Sequence, residues 1–463
     1  MFSLKNQIIR SDNRTLKKYK KEPIDLSLCE DFIASLPYQL TNDQIKASEE
    51  IIEDMNQDSL MYRLLQGDVG SGKTVVSLIA LYANYKRGDQ GALMAPTDSL
   101  ARQHYHTARD LFKNTKLRIA LLVGSLKQSE KDRIYQDLSD GYIDIVIGTH
   151  ALFSKGVNYS SLGLVIIDEQ HRFGVKQRAK IASKGNNPDV IVMSATPIPR
   201  TLALILYGDL DISIIDELPP NRKKIDTFAV GKDMEERINT FIAKQIDEGR
   251  QCYIVCPLVE ENEEMDLKSV TELSEKLQTE VFSKYKVEFL HGKMKAKEKD
   301  DIMLRFKNGE IDILISTTVI EVGVDVPNSN IMVIENAERF GLAQLHQLRG
   351  RVGRGEYQSY CILKYNGGSD VVRQRMKIMQ DTNNGFVIAE KDLELRGSGE
   401  FFGTRQHGIP EFKIANLFED MPTLQTVQAL AIKIIDEDPE LMQEKNEPLR
   451  KIVDKKFGNR IEI

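Results

Sequence analysis

Short apolar runs alternate with longer amphipathic stretches along most of this chain. Between about residues 60 and 215, the runs of strand length are MYRLLQ, GALMAP, RIALLVG, IDIVIGT, LGLVIIDE and DVIVMSATP. A second series lies between about residues 225 and 365 and consists of QCYIVCPLV, YKVEFLHG, IDILISTT, NIMVIEN and QSYCILKY. Apolar strands separated by helix-sized segments are typical of a parallel sheet covered by helices. The pattern therefore predicts an α/β fold with two lobes, each built on a parallel sheet.

Two interruptions divide this pattern. Pro219 and Pro220, in DELPPNRKKI, break regular structure, so we place the linker between the lobes there. After Tyr365 the strand signal stops, and 368–463 is predicted to form helices around one glycine-rich loop, RGSGEFFGTRQHG. The predicted organisation is a helical N-terminal segment 1–40, lobe 1 over 41–218, lobe 2 over 219–366 and a small, mostly helical C-terminal domain over 367–463.

Composition and charge exclude several classes of protein. Of the 463 residues, 41% are hydrophobic and 29% are charged, as in ordinary globular proteins. The net charge of -6 indicates no general basic surface, so nucleic acid would need a local groove. Four scattered cysteines exclude a disulfide framework. No apolar run approaches the roughly 18 residues of a membrane span, and the N-terminus lacks a signal-peptide pattern, so we expect a cytoplasmic protein.

The stretch GDVGSGKT follows an apolar strand and precedes an amphipathic helix. Because glycines lack Cβ atoms, such a loop can turn its backbone N–H groups inward around phosphate oxygens. Lys73 would reach the outer phosphates, and Thr74 would hold Mg²⁺. The predicted ATP-binding residues of the loop are Gly67, Asp68, Val69, Gly70, Ser71, Gly72, Lys73 and Thr74.

A second element of the same lobe offers carboxylates. The strand LGLVIIDE delivers Asp168 at its carboxyl end, where open α/β sheets place their ligands. We expect Asp168 to hold Mg²⁺ through water and Glu169, which points elsewhere by strand alternation, to polarise the attacking water. Two solvated acids that simply end a strand are the alternative.

The stretch QLHQLRGRVGRG carries arginines in the second lobe. Arg349, Arg351 and Arg354 lie in a glycine-spaced loop and the turn after it. An added arginine accelerates phosphoryl transfer by about 10³ to 10⁵. Arginines on a separate lobe would act only when the lobes close, which would couple hydrolysis to motion. A basic surface turn is the alternative.

The order of these motifs resembles that of superfamily 2 helicases. GDVGSGKT, APT, DEQH, SAT, TTVIEVGVDVP and QLHQLRGRVGR correspond to motifs I, Ia, II, III, V and VI, all between residues 67 and 354. VIIDEQHRFGVKQR, YGDLDISIIDELPP and DLELRGSGEFFGTRQHGIPEFK are similar to the RecG family, over about residues 36 to 420. The Mfd family is related, but YGDLDISIIDELPP and GIPEFK favour RecG.

The resemblance implies two tandem RecA-like lobes and assigns further roles. Gln44, in LPYQLTNDQ, would read adenine, Asp325 would contact the ribose, and Arg351 and Arg354 would be arginine fingers. The residues expected to couple the ATP site to DNA are Gln170, His171, Ser194 and Thr196. The expected DNA contacts are Pro96, Thr97, Gly124, Ser125, Gly148, Thr149, His291, Gly292, Thr318, Arg405 and Gln406. The alternative for the strand-end positions is that they cap helices.

The resemblance implies an ATP-dependent and Mg²⁺-dependent DNA helicase or translocase that acts on branched or forked DNA in recombination and repair, without sequence specificity. We expect a monomeric motor without membrane contact. RecG proteins carry an N-terminal wedge domain, and the chain before residue 36 is too short for its five-stranded barrel, so we expect the motor and the C-terminal domain alone. The alternatives are an Mfd-like translocase serving a protein partner, or a nucleotide-dependent DNA-binding fragment without productive unwinding.

Overall fold

The computed structural model forms two compact units, of which the first consists of Met1–Leu218 with Arg396–Ile463 and the second of Pro219–Leu395. The residues that it describes are 8, 22–154, 156–168, 187–195, 197, 199, 203, 210–219, 222–257, 275–317, 326–400 and 421–457.

Lobe 1 is built on a parallel sheet of seven strands in its described residues, in the order β3-β4-β2-β5-β6-β1-β7. The strands are β1 (Tyr62–Gly67), β2 (Gln90–Met94), β3 (Ile119–Leu122), β4 (Ile145–Gly148), β5 (Leu162–Ile167), β6 (Asp189–Ser194) and β7 (Asp211–Ile215). Strands β2, β4 and β6 are buried along their whole length, which explains why they are continuous apolar runs rather than alternating ones.

Helices cover both faces of this sheet. They are α1 (Glu30–Ala34), α2 (Asn42–Asn56), α3 (Lys73–Lys86), α4 (Asp98–Leu111) and α5 (Gln128–Ser139). Local signals set their starts: Thr41 and Gln44 form a reciprocal capping box at α2, and the Thr97 side chain accepts a hydrogen bond at the start of α4. Helix α3, which follows the glycine-rich loop, is almost wholly buried.

Lobe 2 has a parallel sheet of six strands in its described residues, in the order β10-β11-β9-β12-β13-β8. The strands are β8 (Asp226–Val230), β9 (Gln251–Val255), β10 (Val287–Leu290), β11 (Ile313–Ser316), β12 (Ser329–Ile334) and β13 (Tyr360–Lys364). The accompanying helices are α6 (Glu235–Asp247), α7 (Ala296–Lys307) and α8 (Leu342–Arg349). The predicted α/β fold with two parallel-sheet lobes is therefore confirmed.

The described residues after the last strand are mostly helical, as the sequence predicts. The helices are α9 (Asp370–Asp381), α10 (Gly385–Glu400), α11 (Met421–Glu437) and α12 (Glu447–Phe457). Met376 and Met379 of α9 are buried in the core of lobe 2. Ala431, Ile435 and Val453 of α11 and α12 form a separate small core instead.

Candidate active site

The glycine-rich loop between β1 and α3 is closed by its own lysine. Lys73 Nζ donates to the carbonyl oxygens of Gly67 and Asp68, at 2.7 and 2.8 Å. Gly70 and Gly72 have φ angles of 77° and 86°, in the left-handed region that favours glycine. The lysine side chain is nearly buried, so its charge is held inside the loop where a phosphate group would lie.

Gln44 lies against this loop. Its Nε2 donates to the Ser71 carbonyl oxygen at 2.8 Å, and its Oε1 accepts from the Thr41 backbone N–H at 3.0 Å. A Cβ atom at Gly72 would lie against Gln44 Nε2, and the left-handed φ of this residue explains the glycine there. Both ends of the amide therefore bind backbone, and Gln44 attaches the start of α2 to the phosphate loop. Its reading of adenine stays a prediction.

Asp168 lies at the carboxyl end of β5, as predicted, and its carboxylate contacts a histidine. Its backbone N–H donates to the Met94 carbonyl oxygen at 2.8 Å, which extends the pairing of β5 with β2. Its Oδ2 lies 2.7 Å from Nε2 of His104, on α4. Both residues are less than a tenth exposed. The structure thus gives Asp168 a buried partner from the helix that follows β2.

His104 was not among the residues that the sequence singled out. A signal for its burial is present, because it shares helical spacing with Leu100, Ala101 and Ala108, which are the buried residues of α4 besides it. That spacing predicts burial but not the partner, which lies 64 positions along the chain.

The strand order brings the predicted nucleotide residues to one stretch of the sheet edge. Strands β1, β6 and β5 are neighbours, and their carboxyl ends lead to the phosphate loop, Ser194 and Asp168. Ser194 is buried and pairs in register with Gln66 at the end of β1. The predicted residues Glu169, Gln170, His171, Thr196 and Asp325 lie outside the described residues.

The predicted DNA contacts of lobe 1 follow β2, β3 and β4. Thr97, after Pro96, caps α4 by accepting from the Leu100 backbone N–H at 3.3 Å. Gly148 ends β4, and the next residue, Thr149, is buried with no hydrogen-bond partner for its Oγ1 among the described residues. The alternative of helix capping thus holds for Thr97, which does not exclude a DNA contact by its backbone.

The loop after β3 is bound to the start of α4. Ser125 Oγ donates to Asp98 Oδ2 at 2.8 Å, and it lies 3.1 Å from Nη2 of Arg102. The Gly124 carbonyl oxygen accepts from Lys131 Nζ at 2.7 Å. These polar groups join two of the three predicted DNA-contacting segments of lobe 1, the one after β2 and the one after β3.

In lobe 2, the predicted contacts His291 and Gly292 follow β10. The His291 ring stacks on Phe289 with a centroid separation of 5.8 Å, and burial, the largest cause, lowers the pKa of His291 below its usual value. The Gly292 carbonyl oxygen accepts from Lys299 Nζ at 2.6 Å. The predicted contacts Thr318, Arg405 and Gln406 lie outside the described residues.

The three arginines of QLHQLRGRVGRG have different environments. Arg349 is 1% exposed and donates to the carbonyl oxygens of Met379 and Thr382, at 2.7 and 2.9 Å. Its guanidinium therefore anchors α8 to α9 within lobe 2. Arg351 and Arg354, by contrast, are partly exposed, and Arg354 Nε donates to the Gly350 carbonyl oxygen at 3.3 Å.

Three family models match the chain. A DEAD/DEAH box helicase model matches residues 41–205, a helicase conserved C-terminal domain model matches residues 234–356, and a model described as ATP-dependent DNA helicase RecG, domain 3, C-terminal, matches residues 382–457. No helix in the described part of the chain is long and apolar enough to span a membrane.

Curated relatives are similar over nearly the whole chain. The ATP-dependent DNA helicase RecG of Streptococcus pneumoniae is 50% identical over 449 residues, which are 95% of this chain and 66% of the relative. The RecG of Bacillus subtilis is 48% identical over 95% of this chain and 64% of the relative, and that of Thermotoga maritima is 50% identical over 91% and 54%. The chain thus spans about half to two thirds of the length of these relatives.

Solved structures agree with the sequence matches. A structure described as RecG bound to a three-way DNA junction is 47% identical, has a TM-score of 0.78, and covers 92% of this chain and 55% of its own. The yeast protein Dbp5, solved with RNA and ADP-BeF3, is 16% identical with a TM-score of 0.52, and the match covers 87% of this chain and 99% of its own. That likeness shows the fold alone.

Proposed function

Because this chain belongs to the RecG family of ATP-dependent DNA helicases, we propose that it is an ATP-driven motor that moves on branched DNA. The observation that carries the proposal is the arrangement at one edge of lobe 1, where the loop containing Lys73 and the carboxylate of Asp168 follow strands separated only by β6. In this arrangement a phosphate cradle and a metal-binding oxygen serve the same nucleotide.

The phosphate loop fits a nucleotide triphosphate. Ser71 Oγ is buried and has no hydrogen-bond partner among the described residues, and the left-handed Gly70 and Gly72 open the backbone toward the loop interior. Lys73 would exchange its two loop carbonyls for the outer phosphate oxygens, which are stronger acceptors for an ammonium group. The N-terminus of α3 adds a favourable dipole for anions.

Magnesium fits the oxygen donors present. Thr74, in the first turn of α3, offers a hydroxyl and Asp168 offers a carboxylate, and Mg²⁺ prefers such ligands together with phosphate oxygens and water. Bound there, the ion would neutralise charge that develops on the phosphates. We propose that Glu169 orients the attacking water and that Gln170, His171, Ser194 and Thr196 relay the nucleotide state.

Charge from lobe 2 is proposed to complete catalysis. Arg351 and Arg354 are the proposed arginine fingers, since neither side chain is fully buried, whereas Arg349 is committed to the backbone of α9. An arginine that stabilises the transferring phosphoryl group contributes about 10³ to 10⁵ in rate. Replacing Arg351 or Arg354 by alanine should therefore lower turnover far more than it weakens ATP binding.

Branched DNA is the proposed track. Support comes from the relative solved with a three-way DNA junction and from the predicted contacts at strand ends, where backbone N–H groups can bind phosphate. Such contacts carry no base specificity, so recognition should depend on the shape of the DNA. Since this chain spans about half to two thirds of the length of its curated relatives, its motor activity and its unwinding of forks have to be measured separately.

ATPase turnover tests the proposal. The chain and its Lys73→Ala variant should be compared without DNA, with single strands, with duplex and with a three-way fork, and Lys113→Ala, which changes an exposed lysine of the same lobe, is the control. We expect stimulation by the fork that Lys73→Ala abolishes and Lys113→Ala retains. Equal ATPase turnover with and without DNA would contradict the proposal. Stimulation by DNA without strand separation would indicate a translocase.

A further inference from the structure

The edge of lobe 1 formed by the strand carboxyl ends carries two groups of residues. Strands β1, β6 and β5 lead to the nucleotide residues, and strands β2, β4 and β3 lead to the predicted DNA contacts. Strands β5 and β2 are neighbours, so the two groups meet there. Asp168 ends the first group, and α4, which follows β2, begins the second.

One buried hydrogen bond crosses this border. A carboxylate only accepts hydrogen bonds, so Nε2 of His104 carries the hydrogen and donates to Asp168 Oδ2 at 2.7 Å. Both side chains are nearly buried, at 7% and 13% exposure, so water competes little for the bond. The bond restricts rotation of the Asp168 carboxylate about its side-chain torsion.

The first turn of α4 is attached to the DNA side of the edge. Asp98 accepts from both the backbone N–H and the Oγ of Ser125, at 3.3 and 2.8 Å, and Arg102 of the second turn contacts the same hydroxyl. His104 lies on the same continuous helix, about one and two thirds turns after Asp98. Because α4 is one continuous helix, a displacement of the loop containing Ser125 would be transmitted along it to the histidine.

We propose that His104 is a positioning residue that orients Asp168 for magnesium and, through α4, makes that orientation depend on DNA at the loops after β2 and β3. The inference rests on the proposed function, because it assigns Asp168 to the metal. Ligating carboxylates are commonly oriented by such outer hydrogen bonds, and loss of one typically costs about 10-fold to 100-fold in metal affinity or activity. A histidine that merely fills the core would not affect metal binding.

Two substitutions separate orientation from packing. His104→Phe keeps a ring of similar size and removes the donor, whereas His104→Gln keeps an N–H donor. His106→Ala, on the exposed side of the same helix, is the control. Thermal unfolding establishes that each variant is folded before any comparison.

Metal binding is measured without turnover, by electron paramagnetic resonance titration of Mn²⁺ in the presence of a non-hydrolysable ATP analogue. We expect His104→Phe to weaken Mn²⁺ binding by about 10-fold or more, His104→Gln to recover part of the loss, and His106→Ala to match the unmodified chain. The ratio of DNA-stimulated to basal ATPase should also fall in His104→Phe, because the connection through α4 is broken.

Two results would overturn the inference. The first is equal Mn²⁺ affinity in the Phe, Gln and unmodified proteins, and the second is weakened Mn²⁺ binding with an unchanged stimulation ratio, which would remove the link to DNA. If His104→Phe does not fold, the comparison is made with His104→Gln alone. Because His104→Gln keeps an N–H donor, a loss of Mn²⁺ binding in this variant as large as that of Asp168→Asn would contradict a donor role. If DNA does not change the ATPase turnover of the unmodified chain, the proposed function is refuted instead. The Mn²⁺ titrations of the variants still test the role of His104.

Discussion

Lobe 1 and lobe 2 repeat the same frame, but only lobe 1 carries a phosphate loop among the described residues. The order β3-β4-β2-β5-β6-β1 in lobe 1 matches β10-β11-β9-β12-β13-β8 in lobe 2. The match extends to single hydrogen bonds: Asp168 donates its N–H to the Met94 carbonyl oxygen, and Glu335 donates to that of Val255, both at 2.8 Å. Asp168 and Glu335 therefore occupy equivalent positions at the ends of equivalent strands.

Buried side chains repeat as well. Gln90, at the start of β2, donates to the carbonyl oxygens of Leu138 and Ile143, and Gln251, at the start of β9, donates to those of Phe306 and Ile311. Each glutamine thus holds together the end of a helix, α5 or α7, and the turn that leads to the next strand. These repeats hold the sheets together and lie away from the chemistry.

The two lobes differ first in one connection. In lobe 1, β1 leads into α3 through the loop containing the left-handed Gly70 and Gly72. In lobe 2, β8 leads into α6 through a short 3-10 turn, Lys232–Met234. A phosphate cradle needs several N–H groups that converge, and a three-residue turn presents too few of them.

The second difference is the partner of the strand-end acid. Asp168 contacts His104, whereas Glu335 accepts from Lys364 Nζ at 2.6 Å, and both members of that pair are largely buried. A lysine cation neutralises its carboxylate, so Glu335 has little charge left to attract a metal. Asp168 and Glu335 thus occupy equivalent positions in the two sheets but differ in chemistry, because one contacts a histidine and the other a lysine.

Removing the two acids should have opposite effects. Asp168→Asn should lower ATPase turnover at least about 100-fold, since the proposed magnesium site loses a charged ligand, while stability changes little. Glu335→Gln should retain turnover within about 3-fold, but it leaves Lys364 buried without its main partner and should cost about 1 to 3 kcal/mol of unfolding free energy. Turnover and urea unfolding measure the two quantities. A loss of turnover in Glu335→Gln with normal stability would break the comparison.

The paired glutamines should behave alike. Gln90→Ala and Gln251→Ala each remove two buried hydrogen bonds from the glutamine amide to backbone carbonyl oxygens, and we expect a loss of about 1 to 3 kcal/mol in each lobe. Urea unfolding measures the loss, with the exposed Gln136→Ala as the control. A loss in one lobe alone would show that the repeated contacts are not energetically equivalent.

A smaller effect is expected at two matched turns. Gly141 and Gly309 have φ angles of 73° and 75°, and a Cβ atom would meet ordinary contact at Gly141 and open space at Gly309. Alanine should therefore cost only the backbone strain, about 1 to 2 kcal/mol each. Thermal unfolding checks this, and Gly124→Ala, which has open space and no left-handed backbone, should be nearly neutral.

The smallest effect is expected at the matched lysines. Lys131 and Lys299 each donate to a glycine carbonyl oxygen in the loop before their helix, Gly124 and Gly292. Replacing either by methionine removes one partly exposed hydrogen bond, so we expect no more than about 1 kcal/mol of destabilisation. The DNA concentration for half-maximal ATPase stimulation is the sharper readout, and a rise for one lysine alone would show that the lobes contact DNA unequally.

Much of the fold could be predicted from local pattern. Buried parallel strands are continuous apolar runs, so the sequence predicted eleven of the thirteen described strands, and the glycine spacing of GDVGSGKT predicted the loop that Lys73 closes. The sequence did not predict β7 and β8, because these edge strands are partly exposed and lack a continuous apolar run. Asp168 was predictable because the end of a strand is a local feature. The equivalent acid Glu335 was not distinguished from solvent-exposed acids, because its partner Lys364 lies 29 positions away on another strand.

The sequence by itself determined most of the elements, their order and the residue types that suit phosphate and metal, because these depend on neighbouring positions along the chain. Only the tertiary structure decided the partners. Gln44 contacts the phosphate loop across 27 positions, Arg349 contacts Met379 across 30, and His104 contacts Asp168 across 64. These pairs depend on which strands are neighbours in the sheet and on which helix face is buried, and no local pattern contains that information.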